Sequence, residues 1–97
     1  MSNRQKTNPT SITLYALQSC SHCKDTKKLL QELRIPFRTV YVDMLVGDER
    51  SDTTRFLRGV NPSVSFPTLV VGEKIIAGFK KKEIEAALHA FANRQGD

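Results

Sequence analysis

Cysteine is scarce in this chain: its only two, Cys20 and Cys23, fall within Ser19-Cys20-Ser21-His22-Cys23-Lys24. A small secreted domain spreads its cysteines to staple distant segments, whereas two thiols this close shut almost no loop. A disulfide framework is thereby excluded, and the pair is expected to serve chemistry. Long apolar runs are missing as well, and the opening Met1 to Thr10 is basic and polar, without the apolar stretch of a secretory leader. The expectation is a soluble, cytoplasmic chain with no membrane partner. Tracts of Pro, Gly or Gln are lacking, and so is any internal repeat, which argues against low-complexity and repeat architectures. Acidic residues are the minority, 10 against 15 Lys and Arg, for a net charge of +5. Clustered cations are the footprint of phosphate binding, but no RNA- or DNA-reading motif accompanies them. The charge is therefore taken as a solvated basic face that favours acidic partners, and nucleic acid is not expected among them.

What is present suits one small domain. The chain has 97 residues, 39% apolar and 26% charged, an ordinary globular composition. Residues 1–10 are expected to form a flexible tail and residues 11–97 the folded domain. Ser11 to Leu17 alternates as a strand does. Cys23, Thr26, Leu29, Leu30 and Leu33 then recur at helical spacing, and Pro36 ends that helix near Arg34. Cys20 therefore sits at a helix N-terminus. Phe37 to Val42, rich in β-branched and aromatic residues, reads as a second strand. Asp48 is placed to cap a second helix that carries Phe56 and Leu57 and stops at Gly59. Thr68–Val71 and Lys74–Ala77 flank Gly72-Glu73, which suits a tight hairpin with Gly at its first central position. Ile84, Ala87, Leu88 and Phe91 make the last helix amphipathic. The order β-α-β-α-β-β-α predicts an α/β domain, a mixed four-stranded sheet with helices on its faces.

With Cys20 and Cys23 between the first strand and first helix, this pattern resembles the thioredoxin fold and, within it, the glutaredoxin family, over about Ile12 to Phe91. Three segments carry the resemblance: Cys20-Ser21-His22-Cys23, Ser65-Phe66-Pro67 before the third strand, and Ala77-Gly78 after the fourth. Ser65-Phe66-Pro67 is similar to the family's Thr-Val-Pro, whose proline is cis. About 95% of X–Pro bonds are trans in general, so the resemblance alone points to cis at Pro67. It implies a thiol-disulfide oxidoreductase, a monomer with no tightly bound cofactor, that reduces disulfide-containing proteins or glutathione mixed disulfides. It also implies substrate contacts at Ser65, Phe66, Pro67, Ala77, Gly78 and Lys81.

The residues point to the same chemistry. A thiolate is the attacking species, and a cysteine at a helix N-terminus meets unpaired N–H groups and the positive end of the dipole. Cys20 is so placed, with His22 and Lys24 as further tuning charges. Cys23, one turn on, is spaced to attack a mixed disulfide formed on Cys20 and release the reduced substrate. Set against this, the two thiols are half of a four-ligand zinc site, whose other half would have to be His22 and His89; no metal is expected on that count. His22 reads equally as an exposed loop residue. Lys80-Lys81-Lys82 reads as a solvated helix start, although cations there oppose the helix dipole.

Two positions depart from the family pattern. A Lys usually stands three residues before the first cysteine and meets a glutathione carboxylate, but this chain has Leu17; an Asp after the glycine pair meets the glutathione amino group, but this chain has Lys81. Gly78-Phe79-Lys80-Lys81 is closer to the glutaredoxin-like hydrogen donors of ribonucleotide reductase, which draw on thioredoxin reductase. Glutathione, as co-substrate, and thioredoxin reductase both stand as candidate reductants. Ser21, where the family usually has proline, also resembles glutaredoxins that hold a [2Fe–2S] cluster between two subunits with glutathione, a carrier alternative. A redox-silent adaptor fits a paired thiol at a helix start poorly.

Overall fold

The computed structural model describes residues 12–95. The expected tail, residues 1–10, and Ser11, expected to open the first strand, lie outside the described residues. Strand β1 runs Ile12–Ala16, helix α1 Ser21–Glu32, and strand β2 Arg38–Tyr41. A 3₁₀ turn follows at Val42–Met44, then helix α2 at Gly47–Val60, strands β3 at Thr68–Val71 and β4 at Lys74–Ala77, and helix α3 at Lys81–Gln95. The four strands form one mixed sheet ordered β2-β1-β3-β4. β1 pairs parallel with β2 and antiparallel with β3, and β3 pairs antiparallel with β4. This is the expected mixed α/β architecture.

Alternation along β1 sets its two faces. Ile12, Leu14 and Ala16 are buried and cluster with Leu29 and Leu30 of α1 and Ile84 and Leu88 of α3. The register places Leu14 opposite Leu69, and Leu69 opposite Ile76, so one apolar row crosses three strands beneath those helices. Tyr15 points the other way, and its ring lies 5.7 Å from that of Phe56 on α2. Helices thus cover both faces, α1 and α3 on one and α2 on the other.

Several boundaries differ from expectation, each for a local reason. β1 ends at Ala16 and β2 covers only Arg38–Tyr41, because Val42 enters the 3₁₀ turn. Asp48 does not cap α2. Gly47 takes a positive φ of 62° that turns the chain into the helix two residues early, and Val46 stands at the cap with no side-chain bond. Asp48 and Glu49 fall instead in the first turn, where carboxylates meet the positive helix end favourably. Nor does Gly59 stop α2. The helix runs to Val60 and ends at Asn61, whose N–H bonds the Leu57 carbonyl at 2.7 Å. The hairpin forms as expected, with Gly72 at φ 61°.

The end of α1 is closed by a left-handed residue. Leu33 is the C-cap and Arg34 has φ 58°, with Arg34 N–H bonded to Gln31 at 3.0 Å and Ile35 N–H to Leu30 at 3.1 Å. That is the Schellman arrangement, with Arg where glycine is usual. A side chain there costs about 1–2 kcal/mol against glycine, less the entropy a glycine adds to the unfolded chain. Arg34→Gly is therefore expected to stabilise the protein by about 0.5 to 1 kcal/mol in urea unfolding.

Candidate active site: a dithiol facing a proline loop

The strand order brings four chain segments to one end of the sheet. Ala16 of β1 pairs with Tyr41 of β2, Tyr15 with Thr68, and Thr68 with Ala77. The exits of β1, β2 and β4 therefore meet the entry to β3. At this end stand the Cys20–Cys23 segment, the turn at Asp43, the Ser65–Pro67 loop and Gly78. Gln18 N–H donates to the Asp43 carboxylate at 3.2 Å and ties two of them together. Gly78, at φ 88°, ties two more by donating its N–H to the Pro67 carbonyl at 2.8 Å. Nothing lies within 4 Å of where its Cβ would be, so backbone conformation rather than space calls for glycine.

Cys20 is the N-cap of α1. Its φ and ψ are extended, −86° and 116°, and its Sγ accepts the Cys23 N–H at 3.2 Å, the bond a capping oxygen usually makes. Both cysteines are free thiols, Cys20 half-buried and Cys23 buried at 3% exposure. Burial, and next the hydrogen bond with Cys20, push the Cys23 thiol up to about 12, so it is protonated at neutral pH. Beside Cys23 lies a cavity of about 40 Å³, whose wall includes Leu17, Gln18, Lys24, Lys27 and Tyr41.

Across from the dithiol, the Phe66–Pro67 bond is cis, and the Phe66 carbonyl lies 4.0 Å from Cys20 Sγ. Phe66 packs against the edge of the core while Pro67 is buried. The structure thus brings together Cys20, Cys23, Phe66, Pro67 and the Ala77-Gly78 turn. His22 and Lys24 are exposed on the first turn of α1, and neither bonds to a sulfur. Ser65 has its Oγ and its carbonyl engaged by Asn61 Nδ2, both at 3.2 Å. Lys81, exposed at the first turn of α3, shares a shallow groove with Phe79 and with Asp25, Lys28 and Glu32 of α1. Among the described residues no three His, Cys, Asp or Glu side chains gather as metal ligands would; His89 is exposed on α3.

Sequence reasoning missed Asn61, Thr68 and Asp43. Asn61 carried one signal, since Asn-Pro favours a turn after a helix. Thr68 carried none, because its bonds depend on the fold of the loop before it, and Asp43 carried none, because its partner Gln18 lies 25 residues away.

An α/β domain of the thioredoxin type with two free thiols at a helix start, facing a cis-proline loop, defines a class of thiol-disulfide oxidoreductases. The glutaredoxin family model matches residues 12–76, and the chain belongs to the glutaredoxin family. It is 31% identical over 74 residues to an uncharacterized glutaredoxin-like 8.6 kDa protein in the rubredoxin operon of Clostridium pasteurianum, covering 76% of this chain and 92% of that protein. Among solved structures it is similar to the glutaredoxin of Methanosarcina mazei, with 47% identity, a TM-score of 0.76 and coverage of 82% of this chain and 79% of that one. It is also similar to Methanosarcina acetivorans methanoredoxin, with 46% identity, a TM-score of 0.76 and coverage of 82% and 85%.

The unequal environments of the thiols make a direct prediction. Iodoacetamide at neutral pH is expected to add one group, on Cys20, with Cys23 spared until the protein is denatured, read by peptide mass spectrometry. The folded thiol of Cys23 ionises near 12 against an ordinary value of 9.0, so the stability its burial contributes is whole below pH 9 and lost as pH climbs from about 9 towards 12. The unfolding midpoint of the reduced protein is expected to fall across that window, and less steeply in Cys23→Ala.

Proposed function

We propose that this chain reduces disulfides by dithiol exchange, with Cys20 as nucleophile and Cys23 as resolving thiol. The observation that carries this reading is the contrast between the two sulfurs. Cys20 Sγ stands at the helix cap and accepts a backbone N–H at 3.2 Å, whereas Cys23 is buried and protonated. Backbone N–H donation favours a sulfur that carries negative charge, and the thiolate is the nucleophile. The Cys20 thiolate attacks one sulfur of a substrate disulfide. The S–S bond breaks, the leaving thiolate takes a proton, and a mixed disulfide remains on Cys20. Cys23 then loses its proton and attacks Cys20 Sγ, which forms the Cys20–Cys23 disulfide and expels the second substrate thiol. Two electrons have passed to the substrate, and a reductant must return them. Lys24, exposed beside the first turn, adds positive charge where the thiolate forms, and His22 is exposed on the same turn. A reducing compartment such as the cytoplasm suits this direction of flow.

The source of electrons turns on two positions. Leu17 lines the cavity beside Cys23 and brings no charge, and Lys81 is exposed at the start of α3 next to Lys80 and Lys82. Glutathione bound here would meet neither of the family's charged anchors, which favours a protein reductase that docks against the cationic rim. Disulfide-bearing proteins are the substrates in this reading. Main-chain pairing at Phe66 holds them, with Ser65, Pro67 and Ala77-Gly78 shaping the rim around it.

Two experiments test the proposal. Cys20→Ser is expected to abolish turnover, while Cys23→Ser accumulates a substrate mixed disulfide visible as a mass adduct; equal loss in both variants without an adduct would overturn the assignment. Restoring the missing acid by Lys81→Asp is expected to raise glutathione-dependent turnover about tenfold or more, since a charge-assisted contact is worth about 1.5–3 kcal/mol. The same substitution is expected to slow reduction by thioredoxin reductase, because rim charges act mainly on encounter. Indifference in both assays would remove Lys81 from the account.

A further inference from the structure

The loop between α2 and β3 contains hydrogen bonds that the thiol chemistry itself does not use. Asn61 is only 6% exposed, and the two hydrogens of its Nδ2 serve three acceptors, one hydrogen being shared: the Ser65 carbonyl at 3.2 Å, Ser65 Oγ at 3.2 Å and Thr68 Oγ1 at 3.1 Å. Thr68, fully buried in β3, donates its hydroxyl hydrogen to the same Ser65 carbonyl at 2.7 Å. With that hydrogen committed, Thr68 Oγ1 can only accept from Asn61, which fixes the amide with its nitrogen on this side. Ser63 Oγ donates to Asn61 Oδ1 at 3.0 Å, and the Asn61 carbonyl accepts the Val64 N–H at 2.7 Å. The loop needs this restraint, because Val64, a β-branched residue, is held at a positive φ of 46°.

The consequence lies in the orientation of one peptide unit. A trans peptide carries its C=O and N–H on opposite sides. Ser65–Phe66 is trans, since Phe66–Pro67 is the cis bond of this segment. Two donors, Asn61 Nδ2 and Thr68 Oγ1, draw the Ser65 carbonyl inward. The Phe66 N–H must then point away from them, and it makes no hydrogen bond within the described residues. Next to it the Phe66 carbonyl stands 4.0 Å from Cys20 Sγ. A donor and an acceptor on one residue, beside the reactive sulfur, match the main chain of an extended peptide.

We infer that Asn61, together with Thr68, is a positioning residue: by holding the Ser65 carbonyl inward it presents the Phe66 N–H to the backbone carbonyl of a peptide joined to Cys20. This rests on the proposal that Cys20 forms the mixed disulfide. Neither side chain touches the substrate; both act through the Ser65–Phe66 peptide. Asn61 is thus more than the terminator of α2, and its loss affects partners that carry a peptide backbone while sparing those that do not.

The test compares two disulfides in the full-length reduced protein: an extended peptide disulfide, and dithiodipyridine, a small aromatic disulfide without peptide groups. Asn61→Ala and Thr68→Val are each expected to slow the peptide reaction about fivefold to tenfold, the loss of one well-aligned hydrogen bond, and to leave the dithiodipyridine rate unchanged. Thr68→Val keeps the side-chain volume, so it carries the test alone if Asn61→Ala does not fold. A second readout uses Cys23→Ser with the peptide trapped on Cys20. There the Phe66 amide is expected to exchange slowly with solvent, and adding Thr68→Val is expected to restore fast exchange. Equal slowing of both disulfides, or a peptide rate that does not change, overturns the inference. A wild-type Cys20 that fails to react with dithiodipyridine overturns the dithiol mechanism itself and the inference with it.

Discussion

Helix α1 begins with a donor that has to be met. The first turn of any α-helix leaves backbone N–H groups without intrahelical partners, and the residue before it ordinarily supplies an oxygen. Here a sulfur does so, Cys20 Sγ accepting from Cys23 N–H at 3.2 Å. Much of the site depends on that bond. It fixes the direction of the Cys20 side chain and sets where the helix starts. Counting one turn from that start, it also puts Cys23 on the face that α1 lays against the sheet. The same geometry therefore leaves one thiol at the rim and buries the other among Leu14, Ala16, Leu29 and Leu30. Two chemically identical side chains acquire different environments because one caps a helix and the other belongs to its packed face.

The second half of the site comes from far along the chain, and the sheet supplies it. β3 lies antiparallel beside β1, so the loop entering β3 must appear at the end where β1 exits. Phe66 is 46 residues from Cys20, yet its carbonyl reaches the sulfur. The Asn61–Ser65–Thr68 hydrogen bonds then decide which atoms of that loop face outward. Buried polar groups have to be satisfied. Here the partners that satisfy them also orient the peptide bond next to the reactive centre.

Charge around the site is uneven. Leu17 brings no charge to the cavity beside Cys23, whose cations are Lys24 and Lys27, and Lys81 brings a cation where the family pattern has an acid. The groove Lys81 shares with Asp25 and Glu32 is of mixed sign, so the cations of the α3 start are not balanced into a uniform field. The one ion pair among the described residues, Arg55 with Asp52 on α2, is fully surface-borne and contributes little to stability. The fold is held by its apolar rows and caps rather than by surface charge.

Local pattern was enough for much of this. Alternation in β1, the 3.6-residue spacing of Cys23, Thr26, Leu29 and Leu30, the Gly72 hairpin and the amphipathic α3 were legible because each depends on neighbours within one or two turns of chain. So was Cys20 at a helix N-terminus, since strand, cysteine and helix follow directly. The boundaries of α2 were not, because Gly47 and Asn61 act there through backbone conformation and hydrogen bonds that composition does not display. The cis state at Pro67 was readable only through resemblance. What the sequence by itself determined was the order of elements and the pair of thiols with their spacing, all consequences of short-range sterics and periodic burial. What only the tertiary structure decided was how deeply Cys23 is buried, with its thiol pushed up to about 12, and the outward turn of the Phe66 N–H. Burial and hydrogen-bond partners depend on segments that meet through sheet pairing, and no stretch of sequence contains its own environment.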